Sequence, residues 1–211
     1  MRNILCIILL FFAPGINAQT LSVTQLQTGD LLFQDLDCGD LCDAIESVTQ
    51  GYEGRNFSHV GMLLIEQDSL WVVESIGAGV HRTELEQFRR RSAQPLTVGR
   101  LKPAYTALIP EAVQFIRQQF GVPYDDEFLY NNGKYYCSEL LYDAFKHANQ
   151  DQPFFQLEPM TYKQPGSDHY FPVWQQYFAE RKMPVPEGQP GCNPGGLSRS
   201  PKITIIGTIH Q

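Results

Sequence analysis

The sequence predicts an α+β fold in one domain, and three observations lead to that prediction. Strand patterns fill the first half of the chain, helical patterns dominate the second half, and the two do not alternate as they do in βαβ proteins. The 211 residues, of which 43% are hydrophobic, suffice for one domain of ordinary size. We therefore expect an antiparallel sheet packed against helices.

The strands of the first half are bounded by turn residues. A polar turn at residues 66–69 separates two of them, which predicts a β-hairpin. Short helices are expected over residues 40–49, before the turn-forming Gly51, and over the charged segment 84–91. The predicted strands, which form a meandering sheet, cover residues 30–34, 58–65, 70–76, 79–83 and 96–101.

Two amphipathic helices are expected in the second half of the chain. The first opens at Pro110 and ends at Gly121. Its apolar stripe carries Val113, Ile116 and Phe120. The remaining predicted elements are a helix that starts at Cys137, a helix over residues 173–180 and a last strand over residues 203–209.

Residues 1–18 predict a secretory signal peptide. Arg2 supplies the positive start, and the apolar run that follows is about half the length of roughly 20 residues needed to cross a bilayer. A membrane anchor is therefore disfavoured. We expect cleavage after Ala18, which leaves residues 19–211 as a single domain that is secreted or periplasmic.

The charge balance argues against nucleic acid as a partner. Lysine and arginine number 16 against 23 aspartate and glutamate residues, so the net charge is −7 and no basic surface is expected. After the N-terminal segment, no apolar run is long enough to span a bilayer, and we expect no integral membrane segment in the mature chain. The sequence leaves the oligomeric state open.

Export would leave four cysteines in the mature chain. Cys38 and Cys42 are close enough in sequence for a local bridge, and in an oxidising compartment all four could form two disulfides. Whether Cys192 pairs with either of them stays open. No histidine lies at ligand spacing from Cys38 and Cys42, so a zinc site is not expected there, and the predicted chemistry needs no metal or organic cofactor.

Cys137 is the first candidate for chemistry, because it stands at the start of a predicted helix. Unpaired backbone N–H groups and the helix dipole at that position favour a thiolate, which is a nucleophile. His59, in a rigid predicted strand, is the best placed base, ahead of His81 and His169. His147 lies about 15 Å farther along the helix of Cys137, out of reach. A buried or disulfide-bonded cysteine and a half-buried structural histidine are the alternatives.

Glu74 is the predicted partner of His59. For every even-length loop within residues 66–69, the hairpin puts both side chains on one face of the sheet, opposite or diagonal to each other. Glu74 is then the single carboxylate in an apolar stripe, where an unpaired charge would be costly. We expect the Nδ1–H of His59 to donate to Glu74, which leaves Nε2 free to accept the thiol proton. An outward-facing Glu74 is the alternative.

Five short blocks together resemble the YiiX/YebB-type branch of the NlpC/P60 superfamily, whose members are papain-like cysteine hydrolases with a circularly permuted chain. The blocks are Gly29–Phe33, Ser58–Met62, Val73–Ser75, Gly121–Asp125 and Tyr136–Leu140. The histidine block precedes the cysteine block, which is the order of the permuted branch. The resemblance implies a permuted papain-like hydrolase fold for the single domain of residues 19–211.

The resemblance also implies roles for individual residues. Cys137 would be the nucleophile, His59 the base and Glu74 the group that orients His59. Tyr124 would lie near the thiol, as a candidate donor to the oxyanion. The residues expected to contact substrate are Tyr124, Ser58 and Asp125.

The implied reaction is acyl transfer through a thioester. The first hypothesis is an exported amidase or peptidase that cleaves an amide bond in a small peptide derived from the cell wall. The second is a thiol acyltransferase or esterase that acts on lipid. The third is a module that binds a peptide or amino acid without cleaving it, and the presence of all three triad residue types counts against it.

Overall fold

The computed structural model describes residues 19–210 of the chain, so the predicted signal peptide lies outside the described residues. At its centre lies a six-stranded antiparallel sheet. Its strands are β1 (Leu31–Gln34), β2 (His59–Glu66), β3 (Ser69–Ile76), β4 (Gly79–Glu84), β5 (Leu96–Leu101) and β8 (Ile203–Ile209). Their order across the sheet is β4-β3-β2-β1-β5-β8. A separate short ladder pairs β6 (Glu158–Pro159) with β7 (Pro190–Gly191).

Six α-helices accompany the sheet within residues 19–210. They are α1 (Asp40–Val48), α2 (Leu85–Arg89), α3 (Ile109–Gln118), α4 (Cys137–Ala148), α5 (Pro172–Glu180) and α6 (Pro194–Ser198). α4 packs on β2 and β3, and α3 packs beside α4. The predicted α+β class, with an antiparallel sheet against helices, is confirmed. Among the described residues, no helix is long and apolar enough to cross a membrane.

The sheet buries apolar side chains on both faces. On one face, Met62 is buried with Leu140 and Phe145 of α4. On the other face, Leu63 is buried with Phe88 of α2. Neighbouring residues of a strand point to opposite faces, so β2 contributes to both cores. Because β2 is covered on both sides, the residue at its start is held in a fixed position.

The predicted hairpin of β2 and β3 is confirmed. Met62 pairs with Val73, and the two strands are joined by a two-residue loop. Both loop residues, 67 and 68, have positive φ angles of 47° and 63°, as a type I′ turn requires. The even loop length puts His59 and Glu74 on the same face in the diagonal relation, which is one of the two arrangements that alternation allows.

The loop that carries Tyr124 is fastened to the start of β4. The N–H of Val80 donates to the carbonyl oxygen of Val122 at 2.9 Å. The N–H of Gly121 donates to the carbonyl oxygen of Val80, also at 2.9 Å. Gly79 has a φ of +125°, and a Cβ at this position would lie 2.1 Å from the carbonyl oxygen of Val122. Only glycine permits this approach, which positions the Tyr124 loop against the sheet.

Three details differ from the sequence prediction. α3 ends at Gln118, so Phe120 falls in the following turn and is 42% exposed instead of lying on the buried stripe. The charged helix expected over residues 84–91 is shorter, because β4 extends through Glu84 and a turn follows Arg89. The ladder of β6 and β7 was not predicted, since strands of two residues carry no periodic pattern.

Candidate active site

Cys137 is the first residue of α4, as the sequence predicts. The preceding Tyr136 has extended backbone angles and its side chain does not cap the helix. The N-terminal end of the helix dipole therefore lies at the cysteine, where it favours negative charge. The thiol is free, 6% exposed, and lines a pocket.

His59 is the first residue of β2 and is 3% exposed. Its Nε2 lies 2.6 Å from Oε2 of Glu74, and its ring also forms a hydrogen bond with Cys137. Nε2–H therefore donates to Glu74, and Nδ1 is the nitrogen left for the thiol. The expected assignment of the two nitrogens is wrong, because strand alternation fixes the face of a side chain and not the rotation of its ring.

The contacts of His59 decide its charge. Burial by itself lowers the pKa of a histidine, but the hydrogen bonds and negative charges of Cys137 and Glu74 outweigh it and raise the pKa of His59 to about 9. His59 is therefore protonated at neutral pH. An imidazolium beside a cysteine favours the thiolate, which is the reactive form of that side chain.

Glu74 is completely buried. Burial alone would raise its pKa, yet hydrogen bonds from His59 and Arg91 overcome that effect and lower the pKa of Glu74 to about 2. Nη1 and Nη2 of Arg91 donate to the two carboxylate oxygens at 2.6 and 2.8 Å. Oγ1 of Thr83 donates to Oε1. The carboxylate is therefore ionised at neutral pH and held in one orientation.

Sequence reasoning missed Arg91 and Thr83. Thr83 could have been predicted from the strand pattern. Glu74 pairs with His81 of β4, and Thr83, two residues after His81, points to the same face of the sheet. Arg91 could not have been predicted in this way, because it lies in the turn after α2 and no periodic pattern gives the position of a turn residue.

Two of the residues expected to contact substrate lie at the pocket. Tyr124 and Ser58 line it together with Cys137. Burial and the neighbouring charge of Cys137 raise the pKa of Tyr124 well above its usual range, so its hydroxyl is protonated and can donate. Oγ of Ser58 accepts a hydrogen bond from the N–H of Leu36 at 2.8 Å, which ties the end of β1 to this wall.

Asp125, the third expected contact, does not line the pocket. It is completely buried and accepts hydrogen bonds from the N–H groups of Glu127 and Leu129 and from Nδ2 of Asn132. Its carboxylate therefore holds the loop that follows Tyr124. The sequence could not separate the two cases, because an aspartate that stabilises its own loop looks the same as one that binds a ligand.

The pocket beside Cys137 has a volume of about 260 Å³. Besides Ser58, Tyr124 and Cys137, its walls include residues of α1, α5, α6 and the segment 158–162, regions to which the family resemblance gave no role. The apolar part of the wall is formed by Ile45, Val48, Phe128, Met160, Tyr162 and Trp174. The volume lies just below the range of about 300–1,000 Å³ that is typical of sites for drug-sized ligands.

The cysteines divide into one bonded pair and two free thiols. A disulfide joins Cys38 to Cys42, the local bridge that their spacing allowed. Cys137 and Cys192 are free and buried. The carbonyl oxygen of Cys192 accepts a hydrogen bond from Oγ of Ser138 at 3.0 Å, next to the nucleophile candidate. Burial raises the pKa of the Cys192 thiol, so this second thiol stays protonated.

Comparison with known proteins agrees with this geometry. A sequence model of a family described as permuted papain-like amidase enzymes, YaeF/YiiX, C92 family, matches residues 25–207. The chain belongs to this amidase family. Its fold is thus the permuted papain-like fold, and membership supports a cysteine hydrolase of the amidase type.

Two relatives from Escherichia coli resemble the chain. The uncharacterized protein YiiX of strain K12 is 29% identical over 126 residues, which are 59% of this chain and 59% of that protein, less than two thirds of either. A crystal structure described as metalloprotein yiiX from strain O157:H7 has a TM-score of 0.72 and 23% identity, and the match covers 89% of this chain and 99% of that one. At this identity, the likeness shows a shared fold.

A metalloprotein holds its metal ion through a group of ligating side chains. Within residues 19–210, no group of three or more histidine, cysteine, aspartate or glutamate side chains is arranged to hold a metal ion. In the candidate site, His59 uses its Nε2 for Glu74, and both oxygens of that carboxylate are taken by Arg91. These residues do not fit a metal centre.

Proposed function

We propose that the protein is an exported cysteine amidase of the permuted NlpC/P60 type that cleaves an amide bond in a small peptide derived from the cell wall. One observation carries the proposal. Cys137, at the start of α4, is hydrogen-bonded to His59, which is bonded to the buried Glu74, and the thiol lines a pocket. This arrangement matches a nucleophile, a base and an orienting group.

Acylation starts from the imidazolium–thiolate pair. Sγ of Cys137 attacks the substrate carbonyl carbon, and the carbonyl oxygen takes the negative charge. Backbone N–H groups at the start of α4 and the hydroxyl of Tyr124, which lines the same pocket, are the candidate donors to that oxygen. The C–N bond then breaks, and His59 gives its Nδ1 proton to the leaving amine. A thioester on Cys137 and a neutral His59 result.

Deacylation uses the same groups in reverse. Neutral His59 takes a proton from a water molecule, and the water oxygen attacks the thioester carbonyl. The C–S bond breaks, the acid product leaves, and the imidazolium–thiolate pair is restored. Glu74 keeps the ring in place through both steps because its hydrogen bond to Nε2 does not involve the proton that moves.

The pocket supports a small substrate. A volume of about 260 Å³ suits a group of amino-acid size, and the aromatic walls suit an apolar part of it. The same apolar walls would accept a short acyl chain, so a lipid ester is the second candidate substrate. The two are separated by the test below.

The proposal of export concerns residues 1–18. Expression of the full chain in a bacterium, followed by fractionation and N-terminal sequencing, tests it. We expect a mature protein that begins at Gln19 and lies outside the cytoplasm. An uncleaved chain in the cytoplasm would overturn the export proposal and leave the chemistry untouched.

The chemical proposal is tested on the purified mature protein. Iodoacetamide should label Cys137 at pH 6–7, where an ordinary thiol (pKa about 8.5) reacts slowly, and should leave Cys192 in the same molecule unlabelled. The protein is then incubated with cell-wall peptides and, separately, with vesicles that contain lipid esters. Release of an amine from the peptides, lost in Cys137→Ala, supports the amidase.

Each other outcome has a defined meaning. Cleavage of lipid esters alone would replace the amide substrate with a lipid. Binding of peptide without turnover, or a Cys137→Ala variant that remains active, would overturn the catalytic proposal.

A further inference from the structure

The carboxylate of Glu74 is shared between a histidine and an arginine. Oε2 accepts from Nε2 of His59 and from Nη1 of Arg91, both at 2.6 Å, and Oε1 accepts from Nη2 of Arg91 at 2.8 Å. Arg91 therefore binds the carboxylate with both arms of its guanidinium. Such a planar, two-point pair fixes the plane of the carboxylate as well as its distance.

The charge of Arg91 matters because the carboxylate is buried. A completely buried glutamate beside His59, with no other partner, would hold the imidazolium strongly and resist its conversion to imidazole. The proposed reaction needs both forms of His59 in turn. In papain-like proteases the orienting residue is a neutral asparagine, which avoids this cost.

We propose that Arg91 is a positioning residue, and that Glu74 and Arg91 act together as an orienting group of zero net charge for His59. This inference rests on the proposed function, since it assigns Arg91 a part in the same reaction. The pair replaces the single neutral amide of papain-like enzymes with two opposite charges.

Arg91 is itself held at this position by packing. Its guanidinium lies over the ring of Phe88, 5.5 Å from the ring centre, and the same ring packs against His59 with centroids 5.7 Å apart. Nη2 also donates to Oγ1 of Thr83 at 3.2 Å. α2 and its following turn thus present Phe88 and Arg91 together to the back of the histidine.

The other groups that face Glu74 leave Arg91 as the compensating charge. His81 has its Nε2 3.9 Å from Oε1 and a side chain that is 43% exposed, so water screens it. Thr83 is neutral, and on the far side of His59 the facing group is Cys137. Among these neighbours, Arg91 alone combines a permanent positive charge with direct contact to both oxygens.

A charge-removal cycle tests the proposal. The variants are Glu74→Gln, Arg91→Met and the double variant, and two quantities are measured: the titration midpoint of His59 by NMR of histidine-labelled protein, and the rate of Cys137 alkylation by iodoacetamide. Neither measurement needs turnover. A failure of the amidase proposal is thus seen separately, as wild-type protein that alkylates but does not cleave.

Opposite shifts are expected for the two single variants. Glu74→Gln leaves Arg91 uncompensated beside the ring, so the His59 midpoint falls by about 1 pH unit or more. Arg91→Met leaves the carboxylate uncompensated, so the midpoint rises. In the double variant the two residues behind His59 again have zero net charge, so its His59 midpoint should lie closer to the wild-type value than that of Glu74→Gln. Its alkylation rate should exceed that of Glu74→Gln by about tenfold.

Two further variants keep the test decisive if Arg91→Met folds poorly. Arg91→Lys retains the charge and loses the two-point geometry, so it should keep the His59 midpoint near the wild-type value. Arg90→Met removes an exposed arginine from the neighbouring position and is the matched control, which should change neither quantity. A double variant whose His59 midpoint and alkylation rate stay at the Glu74→Gln values, or an unchanged midpoint in both Glu74→Gln and Arg91→Met, would overturn the proposal.

Discussion

Two glutamates, Glu74 in the hairpin and Glu139 in the first turn of α4, are both completely buried, yet their pKa values are shifted in opposite directions. Glu74 has its pKa lowered to about 2 by His59 and Arg91 in spite of burial. Burial, together with the charges of Asp125 and other carboxylates, raises the pKa of Glu139 to about 8. Burial therefore does not decide the charge of a carboxylate here.

Hydrogen-bond partners account for the difference. Glu74 accepts bonds on both oxygens, two of them from a guanidinium. Glu139 accepts a hydrogen bond from the backbone N–H of Asn131 at 3.0 Å, and the backbone of Tyr136 also lowers its pKa, but these neutral groups do not outweigh burial. A protonated carboxyl suits the second site, because a charged one would stand uncompensated. The hairpin region thus stabilises a negative charge on Glu74. At the start of α4, the neutral form of Glu139 places no negative charge beside the thiol of Cys137.

The largest effect should come from removal of the histidine that links the two regions. His59→Ala should lower the rate of Cys137 alkylation at pH 6–7, and any peptidase activity, by about 10³-fold or more, because the thiolate loses its counterion and proton carrier. The matched control is His147→Ala, which removes an exposed histidine of α4 that pairs with Glu111. If both variants alkylate at the wild-type rate, His59 does not activate the thiol.

The next effect sharpens the contrast between the two glutamates directly. Glu74→Gln should reduce the rate of Cys137 alkylation by about 10- to 100-fold, because it removes the negative charge that stabilises the protonated form of His59. Glu139→Gln should leave it within about twofold, because glutamine resembles the neutral carboxyl already present. Alkylation rates at pH 7 measure both. Equal losses in the two variants would show that Glu139 is ionised at this pH and that the contrast is wrong.

The sequence predicted more of the hairpin region than of the pocket, for physical reasons. Strand alternation and an even loop brought His59 and Glu74 to one face, and helical spacing put Cys137 at a helix start. The rotation of the His59 ring, which places Nε2 instead of the predicted Nδ1 at Glu74, depends on side-chain packing, and a sequence pattern contains no information about that packing. The catalytic roles of all three remain predictions until the tests above are made.

Residues outside the regular elements escaped prediction for a related reason. Arg91 lies in a turn, and the segment 158–162, which lines the pocket, contributes only short or irregular structure, so no periodic pattern gives the positions of their side chains. Their positions depend on long-range packing, as in the edge-to-face contact of Tyr162 with Trp174. Asp125 shows the opposite failure, because a residue inside a recognised block turned out to hold its own loop.

The smallest expected effect is a difference in how stability depends on pH. The folded pKa of Glu139 lies above its ordinary value of 4.5, so the folded state binds more protons than the unfolded state between pH 4.5 and 8, and its contribution to stability falls as pH rises through that window. The folded pKa of Glu74 lies below 4.5, so its contribution is present above that pH and is lost as pH falls towards 2.

Urea unfolding of the wild type and the two glutamine variants measures these slopes. Relative to the wild type, Glu139→Gln should gain about 1–3 kcal/mol in its free energy of unfolding between pH 5 and pH 8, because glutamine has no proton to lose. The deficit of Glu74→Gln should instead shrink as pH falls from 5 to 3. Since each variant is compared with the wild type at the same pH, the titration of other groups largely cancels. Parallel curves for Glu139→Gln and the wild type would mean that its carboxylate is charged in the folded protein, and that burial at the start of α4 is compensated by a partner such as a bound water.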